Sequence, residues 1–516
     1  MPKIKVNGQE IEASPGKTLI EVLKDHGTDV PHFCWHPGLK PHGNCRMCLV
    51  KVSNSRKLEV ACTYPCAEGM EVSTESPEID AARKSVMEYL LINHPLDCPI
   101  CDKAGECTLQ DHTFDYRHGT SRFEEPKNIR HTKDLGPNIR IWGNRCIACT
   151  RCVRFCDDIS GTSELSLVNR GDHAVIDVHP EFPIDNPMSL NVVDICPVGA
   201  LIDKNFLYQA RVWFAKKVET VCAGCSRGCN VDLTVHKNEI KRMQPRHNGE
   251  VNDYWMCDAG RLGTGYVHSE ARLKLAKGSA ASAANSLADL VATHGQGSVA
   301  IVASTYGTLE ELFLLKKLAT ALGAPVAFYT KTEGQRWVAK NGFSIETDKT
   351  PNTKGAELIF GTIASPETLV AGIEAGKIKG LLSWNGIPDL TLPEALVAAA
   401  AKLEFLAVAD LLNNALVGKA HVVLPTAAWA EKDGSFMNKD GRMQRIRGGM
   451  IAPGQARADG SLLQDMLVAI GVLTSPVSAE GVFREAFPGL DYAKVGSGGL
   501  IQGAAGGSTA QPEGVA

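Results

Sequence analysis

The last 259 residues of this chain contain no cysteine, although the first 257 contain 17. Thiolate ligation of a metal is therefore excluded after Cys257, and any sulfur-based metal chemistry belongs to the amino-terminal half. An excess of charge of one sign is also missing, because the 516 residues carry a formal net charge of only −4. No basic stripe indicates nucleic-acid binding, and no acidic block predicts a solvating tail.

Long apolar runs and a targeting signal are missing as well. No stretch of about 18 uncharged apolar residues occurs, so we expect no membrane span. The opening MPKIKVNGQEIEA alternates like a strand, a turn and a strand, without the apolar centre of a secretory signal. Many cysteines without such a signal predict a reducing compartment and metal ligation. The alternative is a disulfide-rich secreted protein.

The sequence also lacks the common active-site motifs. No G-x-G-x-x-G follows a predicted strand, and no Walker loop is present. No nucleophile–base pair is evident. We therefore expect no independent active site in this chain.

Local patterns predict the elements that surround the cysteines. Residues 2–13 alternate as a β-hairpin does. Residues 81–93 predict a helix whose packed face contains Val86, Tyr89 and Leu90. This helix would lead directly into a cysteine-rich stretch.

Beyond residue 272, strands and helices alternate as in βαβ units with a mostly parallel sheet. The predicted elements are a helix at 280–294, a strand at 298–303, a helix at 309–322, a strand at 325–329, a strand at 378–383, a helix at 393–402 and a strand at 405–409. Residues 496–516 are rich in Gly, Ala and Ser and predict a disordered tail.

Fifteen of the cysteines and one histidine fall into four sets of four. The first set consists of Cys34, Cys45, Cys48 and Cys62. This spacing, after a hairpin and a helix, indicates a [2Fe–2S] cluster rather than a structural zinc ion. Gly43 would let the backbone approach the cluster, and Arg46 would help to balance its charge.

The second set consists of His94, Cys98, Cys101 and Cys107. Three thiolates and one imidazole suit a [4Fe–4S] cluster, and they also suit a structural zinc ion. The other cluster motifs of the chain favour the cluster. His94 must be neutral to bind iron, so its other ring nitrogen needs an acceptor. The alternative is a solvated histidine at a helix end.

The third set consists of Cys146, Cys149, Cys152 and Cys196. A CxxCxxC run with a distant Cys-Pro is typical of a ferredoxin-like [4Fe–4S] site. Arg145, Arg151 and Arg154 either offset the charge of that cluster or are ordinary surface residues. Cys156 has no second cluster to serve, so we predict that Cys156 and Cys66 are thiols that bind no iron.

The fourth set consists of Cys222, Cys225, Cys229 and Cys257. Its spacing also fits a zinc ribbon, so the set by itself is less specific than the others. The three preceding sets favour a [4Fe–4S] cluster here, with zinc as the alternative.

The order of these sets resembles the large iron–sulfur subunit of respiratory complex I, the 75 kDa subunit family of the NADH–quinone oxidoreductases. The segments that carry the resemblance over residues 1–260 are GNCRMCLVKV, LLINHPLDCPICDKAGEC, RCIACTRCVRF and ICPVGAL. Residues 420–444, AHVVLPTAAWAEKDGSFMNKDGRMQ, resemble a segment of molybdopterin oxidoreductases. Of its family-like residues Glu431, Gly434, Asn438 and Gly441, we predict that the glycines make turns and that Glu431 is a surface charge.

The resemblance implies a multidomain fold of the α/β and α+β classes. The implied domains are a ubiquitin-like [2Fe–2S] ferredoxin-type domain over 1–78, a one-histidine three-cysteine [4Fe–4S] domain over 79–118, a ferredoxin-like [4Fe–4S] domain over 119–214, a small β-rich [4Fe–4S] domain of the molybdopterin-oxidoreductase type over 215–271, a shortened and degenerate molybdopterin-oxidoreductase-like α/β domain over 272–495, and the tail over 496–516.

The resemblance also implies an electron relay, which in the whole complex is coupled to proton translocation. Electrons from the NADH-oxidising flavin subunit would enter at the first set, continue through the third and second sets, and leave towards quinone. The fourth set would lie off this path. The implied partners are the flavin subunit, a small [2Fe–2S] subunit and the quinone-proximal subunits of the peripheral arm, at the cytoplasmic face of the bacterial inner membrane.

Other protein classes share parts of this pattern. An NAD-linked formate dehydrogenase α-subunit would need a complete pterin domain and a metal-ligating residue. Both are missing or reduced here, so we expect no molybdopterin in this chain. The small diaphorase subunit of an NAD-linked hydrogenase would share the first three sets but would normally end before the fourth. A zinc-stabilised interaction module is the remaining alternative.

Overall fold

The structure is a computed structural model that describes residues 1–116 and 120–501. Its internal contacts group into two units. The first unit contains the described residues up to 215 together with 339–343, and the second contains the other described residues from 216 onward. Within the described ranges, no helix combines the length and apolar character needed to cross a membrane.

The first unit begins with a five-stranded mixed sheet and one helix. These elements are β1 (Lys3–Val6), β2 (Gln9–Glu12), α1 (Leu19–Asp25), β3 (Leu49–Val52), β4 (Leu58–Val60) and β5 (Glu71–Ser73). The strand order is β2-β1-β5-β3-β4, and β1 runs parallel to β5. Strands β1 and β2 form the hairpin predicted for residues 2–13. Helix α1 starts with a capping box, in which Thr18 N donates to Glu21 Oε2 over 2.7 Å.

Two helices flank the second cysteine-rich stretch, α2 (Pro77–Leu91) and α3 (Thr108–Tyr116). Helix α2 buries Ile79, Arg83 and Met87, whereas the side chain of Tyr89 is 77% exposed. The predicted packed face was therefore wrong at Tyr89. The reason is that Arg83 turns inward and donates from Nη2 to the carbonyl of Leu49 over 2.9 Å, which fixes a different face towards the sheet.

The rest of the first unit is built from short elements. They are β6 (Thr132–Asp134), β7 (Ile139–Trp142), α4 (Arg151–Arg154), β8 (Leu165–Val168), β9 (Val175–Val178), α5 (Asn191–Asp194) and β10 (Leu201–Asp203). Strands β10, β7 and β6 form one antiparallel sheet, and β8 pairs with β9. Helix α4 continues into a π-helical segment, Phe155–Ser160, which ends at Gly161 with φ +79°.

The second unit begins with the antiparallel sheet β11 (Lys216–Val221), β12 (Asn230–His236) and β13 (Glu239–Pro245), followed by α6 (Asp258–Leu262). Lys237 and Asn238 connect β12 to β13 with positive φ angles of 52° and 61°. Two positive φ angles are typical of the tight hairpin turn that matches strand twist.

A parallel α/β domain follows. Its elements are α7 (Ala280–His294), β14 (Val299–Ser304), α8 (Leu309–Leu322), β15 (Val326–Tyr329), β16 (Trp337–Val338), β17 (Ser344–Ile345), α9 (Thr353–Phe360), α10 (Val370–Glu374), β18 (Gly380–Trp384), α11 (Glu394–Ala399), β19 (Phe405–Asp410) and β20 (Val422–Pro425). The strand order β15-β14-β18-β19-β20 is parallel throughout. The predicted βαβ alternation is confirmed.

The chain closes this domain with β21 (Gly434–Met437), β22 (Arg442–Ile446), α12 (Asp459–Ala469), α13 (Ala479–Ala486), α14 (Tyr492–Val495) and β23 (Leu500–Ile501). Strand β23 pairs with Arg442 and Met443 of β22. The predicted start of the disordered tail at residue 496 was therefore wrong, because residues 500 and 501 pair with a strand of a sheet. Residues 502–516 of that predicted tail lie outside the described residues.

Candidate iron–sulfur sites

The four cysteines of the first set come together at one end of the first sheet. The loop between α1 and β3 carries three of them, and Cys62 follows β4. Thiol hydrogen bonds join Cys34 to Cys45 and Cys62, and join Cys48 to Cys62. These hydrogen bonds lower the pKa of Cys34 and raise the pKa of Cys62. Three close pairs link the four thiols into one set, which fits a pair of bridged iron atoms.

Gly43 lies beside this set with φ +73°, a backbone conformation that favours glycine. A Cβ at this position would lie 3.2 Å from Thr63 Cγ2, so the loop is also tightly packed here. Arg46 has a positive φ of 58° and an exposed side chain. The positive φ angles of Gly43 and Arg46 show that the loop winds closely around its cysteines.

The second set spans the connection between α2 and α3. His94 and Cys98 follow α2, and Cys107 directly precedes α3. His94, Cys98 and Cys107 line one cavity of about 550 Å³, together with apolar residues such as Met87 and Leu109. Cys101 is buried and does not line this cavity.

His94 has the properties of a neutral ligand. Burial, together with the nearby charge of Arg145, lowers the pKa of His94 to about 4. The Nδ1 atom of His94 is buried and has no hydrogen-bond partner, so its lone pair or its proton is left unpaired. An orphaned buried nitrogen fits an iron ligand better than it fits the solvated histidine that was the alternative.

The third set surrounds one small cavity. All four thiols line it, together with the side chains of Thr150 and Arg151. The CxxCxxC loop has two residues with positive φ, Ala148 at 50° and Thr150 at 60°. This winding directs Ala148 N towards Cys146 Sγ over 3.4 Å. Backbone N–H groups aimed at sulfur are typical of loops that hold an anionic cluster.

The three arginines of this region are buried, with Arg145, Arg151 and Arg154 only 2%, 8% and 9% exposed. The alternative of ordinary surface charge is therefore wrong. Arg145 is paired with Asp97 at 2.8 Å, and the other two donate to backbone carbonyls. Nε of Arg151 and of Arg154 is buried without a partner. Buried cations with spare donors fit a neighbouring anionic group.

The fourth set lies in the second unit, and all four of its cysteines are buried. Cys222 follows β11, Cys229 precedes β12, and Cys257 precedes α6. A Cβ on Gly260 would lie 3.0 Å from Cys222 Sγ and 3.4 Å from Cys257 Sγ, so both thiols flank this glycine. Gly224 N and Gly260 N donate to the sulfurs of Cys222 and Cys257 over 3.4 and 3.3 Å.

Burial raises the pKa of most of these thiols. The pKa is raised to about 12 for Cys149 and to about 11 for Cys107, Cys146 and Cys257. A thiol with such a pKa keeps its proton at neutral pH until a metal replaces it. Cluster insertion at these sites should therefore release protons.

The two cysteines outside the four sets have different surroundings. Cys156 is fully buried in the π-helical segment, and burial raises its pKa to about 12. Cys66 is half-buried near α1, and burial raises its pKa as well. All 17 cysteines lie within the described residues and are free of disulfides.

In the described part of the chain, no three His, Cys, Asp or Glu side chains form a group arranged to hold a single metal ion. A tetrahedral zinc site brings its thiolates within about 3.8 Å of one another, since each Zn–S bond is about 2.3 Å. The ligands of a [4Fe–4S] cluster bind different iron atoms and stand further apart. The four thiols of the third set, which line one cavity, are compatible with the wider spacing.

The third ligand set contacts both of the other sets of the first unit. Asn44 Nδ2 of the first set's loop donates to the carbonyl of Ala148 in the third set's loop over 3.1 Å. A Cβ on Gly199, three residues after Cys196, would lie only 2.1 Å from Cys101 Sγ of the second set. The third set therefore contacts the first set through its CxxCxxC loop and the second set through the loop that follows Cys196. The only sign of the Gly199 contact in the sequence is a glycine close to a cysteine in ICPVGAL.

The family-like segment of the α/β domain differs from prediction at two residues. Glu431 is not a surface charge, because its Oε2 accepts from Arg272 Nη2 over 2.8 Å and both side chains are buried. Gly434 is not in a turn but begins β21, where a Cβ would lie 2.7 Å from Thr308 Cγ2. Gly441 does lie in the turn before β22, with φ +79°. Asn438 closes that turn by accepting from Arg442 N over 2.9 Å.

Comparison with known proteins gives matches along most of the chain. The matching family models are the 2Fe-2S iron-sulfur cluster binding domain (2–77), the NADH-ubiquinone oxidoreductase-G iron-sulfur binding region (83–122), the ferredoxin-like domain of NADH-quinone oxidoreductase subunit 3 (136–202), the molybdopterin oxidoreductase Fe4S4 domain (215–269) and molybdopterin oxidoreductase (352–467). Their order confirms the predicted fold class.

Individual relatives each match part of the chain. An NADH-quinone oxidoreductase subunit of Rickettsia felis is 40% identical over 334 residues, which are 63% of this chain and 50% of that protein. The mitochondrial NADH-ubiquinone oxidoreductase 78 kDa subunit of Neurospora crassa is 42% identical over 262 residues, 50% of this chain and 35% of that protein. The chain thus spans about half, or less, of the length of the curated relatives it matches.

A solved NAD+-reducing [NiFe]-hydrogenase in the H2-reduced state is 27% identical, with a TM-score of 0.38, and covers 41% of this chain and 91% of that one. The NADH-ubiquinone oxidoreductase 75 kDa subunit of Reclinomonas americana is 40% identical over 262 residues, 51% of this chain and 38% of that protein. By the order of its domains and these identities, the chain is a relative of the large iron–sulfur subunits of NADH-quinone oxidoreductases, the 75 kDa subunit proteins among them.

Proposed function

We propose that the chain is an electron-relay iron–sulfur subunit of a respiratory NADH:quinone oxidoreductase, complex I. Iron–sulfur clusters in its four ligand sets would supply one-electron oxidation and reduction. The residues of the chain itself would bind these groups, exclude water from them and adjust their potentials through hydrogen bonds and nearby charges.

The observation that supports the proposal is the contact between three ligand loops in the first unit. The first set's loop contacts the third set's loop at Asn44 and Ala148. The third set's loop contacts the second set at Gly199 and Cys101. Electron transfer through protein weakens steeply with distance, so a relay needs its carriers close together in series. The order first, third, second is the one that the family resemblance implies for electron flow.

The cluster ligands and the domain boundaries are part of the same proposal. We assign one [2Fe–2S] cluster to Cys34, Cys45, Cys48 and Cys62, and [4Fe–4S] clusters to the sets that contain His94, Cys146 and Cys222. The last of these sites is proposed as peripheral to the main path. Domain boundaries near residues 78, 118, 214 and 271 would then separate the four cluster-bearing parts from the α/β domain, to which we assign no molybdopterin.

Partners and location are part of the proposal. The related proteins are named as subunits of oxidoreductases, so this chain would work in an assembly rather than alone. We propose a flavin-containing NADH-binding subunit as electron donor, a small [2Fe–2S] subunit beside it, and quinone-proximal subunits as acceptors. The assembly would be the peripheral arm at the cytoplasmic face of a bacterial inner membrane.

The first test is iron, acid-labile sulfide and zinc analysis of the full chain purified without oxygen. One [2Fe–2S] and three [4Fe–4S] clusters give about 14 iron and about 14 sulfide per chain. About 10 iron with one zinc would make the fourth set a structural zinc site and leave the relay in place. Little iron with several zinc ions would contradict the proposal.

The second test asks whether NADH can reduce the chain through a partner. The filled chain is mixed with the NADH-oxidising flavin subunit of the same organism, and EPR spectra are recorded after NADH is added. We expect cluster signals only when chain, flavin subunit and NADH are all present. Signals that appear with NADH in the absence of the flavin subunit would contradict the assignment of a relay without its own active site.

A further inference from the structure

Two buried arginines connect the loops of the first and third ligand sets. Arg151 and Arg154 both lie on α4, directly after the CxxCxxC run. Their side chains are largely buried and extend between the loop of residues 34–44 and the residues of the third set. Both loops lie in the first unit.

Arg154 reaches both loops with one guanidinium group. Its Nη1 donates to the carbonyl of Lys40 over 2.5 Å, and its Nη2 donates to the carbonyl of Cys34 over 2.5 Å. The same Nη2 lies 3.5 Å from the carbonyl of Cys149. One side chain thus joins the backbone of a ligand in the first set to the backbone of a ligand in the third set.

Arg151 makes a second connection of the same kind. Its Nη2 donates to the carbonyl of Trp35, next to Cys34, over 2.5 Å. Its Nη1 donates to the carbonyl of Ile195, next to Cys196, over 3.0 Å. Arginine suits this task because its planar group holds five donors in a fixed fork and remains charged when buried.

We propose that Arg151 and Arg154 are positioning residues that fix the distance between the iron–sulfur sites of the first and third sets. This inference rests on the proposed relay function and adds the means by which two of its carriers are held together. The two buried positive charges would also favour the reduced, more negative state of both sites. Neither arginine needs to contact a reacting atom for these effects.

The test uses the full chain with filled clusters, reduced chemically with dithionite so that neither NADH nor a partner is needed. Pulsed EPR measures the magnetic dipolar interaction between the reduced cluster of the first set and that of the third. Redox titration followed by EPR gives the midpoint potential of each. Iron and sulfide analysis shows that both clusters are present in every variant compared.

Arg154→Lys keeps the charge but loses the fork. We expect filled clusters, a weaker and more broadly distributed dipolar interaction, and little shift in either potential. Arg154→Met removes the charge as well, so both midpoint potentials should also fall. Arg272→Lys is the matched control, because Arg272 is another buried arginine that donates to backbone carbonyls but lies in the second unit. It should change neither readout.

The inference is overturned if two variants, Arg154→Lys and the double variant Arg151→Lys/Arg154→Lys, keep filled clusters and the wild-type dipolar interaction. If Arg154→Lys and the double variant lose iron, Arg151→Lys alone takes their place, because Arg151 joins the carbonyls of Trp35 and Ile195 beside the same two sites. Its dipolar interaction should broaden, and an unchanged distribution would equally overturn the inference. A wild-type chain without iron would instead contradict the proposed function, and the inference with it.

Discussion

Arg272 and Glu431 illustrate how a residue's role depends on burial, which a sequence motif does not reveal. Their side chains are 1% and 2% exposed, and Glu431 also accepts from Ala428 N over 2.7 Å. Arg272 donates in addition to the carbonyls of Val267 and Thr426. A buried charge without its partner costs far more than an exposed one. Glu431 therefore has a structural role inside the α/β domain.

Replacing Glu431 by Gln should destabilise the second unit by about 3 to 5 kcal/mol, because the charge of Arg272 stays buried without a countercharge. The measurement is denaturation of the full chain, with hydrogen exchange of peptides that cover residues 422–446. The control is Glu480→Gln, which breaks an exposed pair with Arg484, 36% and 61% exposed. That change should cost about 0.5 kcal/mol or less. Equal effects of the two substitutions would contradict a structural role for Glu431.

His94 is the residue on which the assignment of the second set depends most. Replacing His94 by Cys should keep the cluster but lower its midpoint potential, since a thiolate adds negative charge where a neutral imidazole stood. The measurement is a redox titration with EPR of the filled chain, in which the signal of this cluster should also change shape. His131→Cys serves as control, because His131 is exposed and belongs to none of the four sets. An unchanged potential and spectrum in His94→Cys would remove His94 from the ligands.

At the scale of elements, the loop between α5 and β10 serves two ligand sets. It carries Cys196 of the third set and brings the backbone of Gly199 against Cys101 of the second. The carbonyl of Gly199 also lies 3.5 Å from Nη1 of Arg145, whose Nε donates to Asp97 over 2.8 Å. A loop shared in this way couples the geometry of two sites, so a change in it should disturb the second site although none of that site's ligands is replaced.

Replacing Gly199 by Ala should remove about four of the roughly 14 iron atoms per chain, because the new Cβ would occupy the space of Cys101 Sγ. The EPR signal of the second set should be lost, while that of the first set remains. Iron analysis and EPR of the reduced chain test this expectation. Gly418→Ala is the control, since a Cβ there meets nothing within 4 Å. Full iron and an intact second-set signal in Gly199→Ala would show that Cys101 does not depend on this contact.

At the scale of the whole molecule, the cysteine ligand sets are divided between the two units. The first unit contains three ligand sets and both remaining cysteines, and the second contains the fourth set beside a large domain without cysteine. The three sets of the first unit are linked through shared loops, whereas the fourth is built from strands and a helix of the second unit alone. Loss of the fourth site should therefore leave the other three unaffected.

Replacing Cys225 by Ala should lower the iron content from about 14 to about 10 atoms per chain and leave the other cluster signals unchanged. Replacing Cys156 by Ala should remove no iron, because Cys156 belongs to no set although it is also buried. Iron analysis and EPR of both variants give the answer. Iron loss in Cys156→Ala would show that this thiol is a ligand, and unchanged iron in Cys225→Ala would show that the fourth set holds none.

The sequence by itself determined the features that depend on neighbours along the chain. The spacing within each ligand set follows from loops of a few residues, and the βαβ alternation after residue 272 follows from hydrophobic periodicity. For this reason the predicted helix at 280–294 agrees with α7 in both of its bounds. The predicted strand at 405–409 lies within β19 for the same reason.

Only the tertiary structure decided the features that depend on residues far apart in the sequence. Arg272 and Glu431 are 159 residues apart, and Arg154 and Cys34 are 120 apart. Whether such side chains are surface charges or buried links depends on which loops the fold brings together. The same holds for Tyr89, whose exposure follows from the way Arg83 docks α2. Local patterns record periodicity and spacing, but burial is a property of the packed chain.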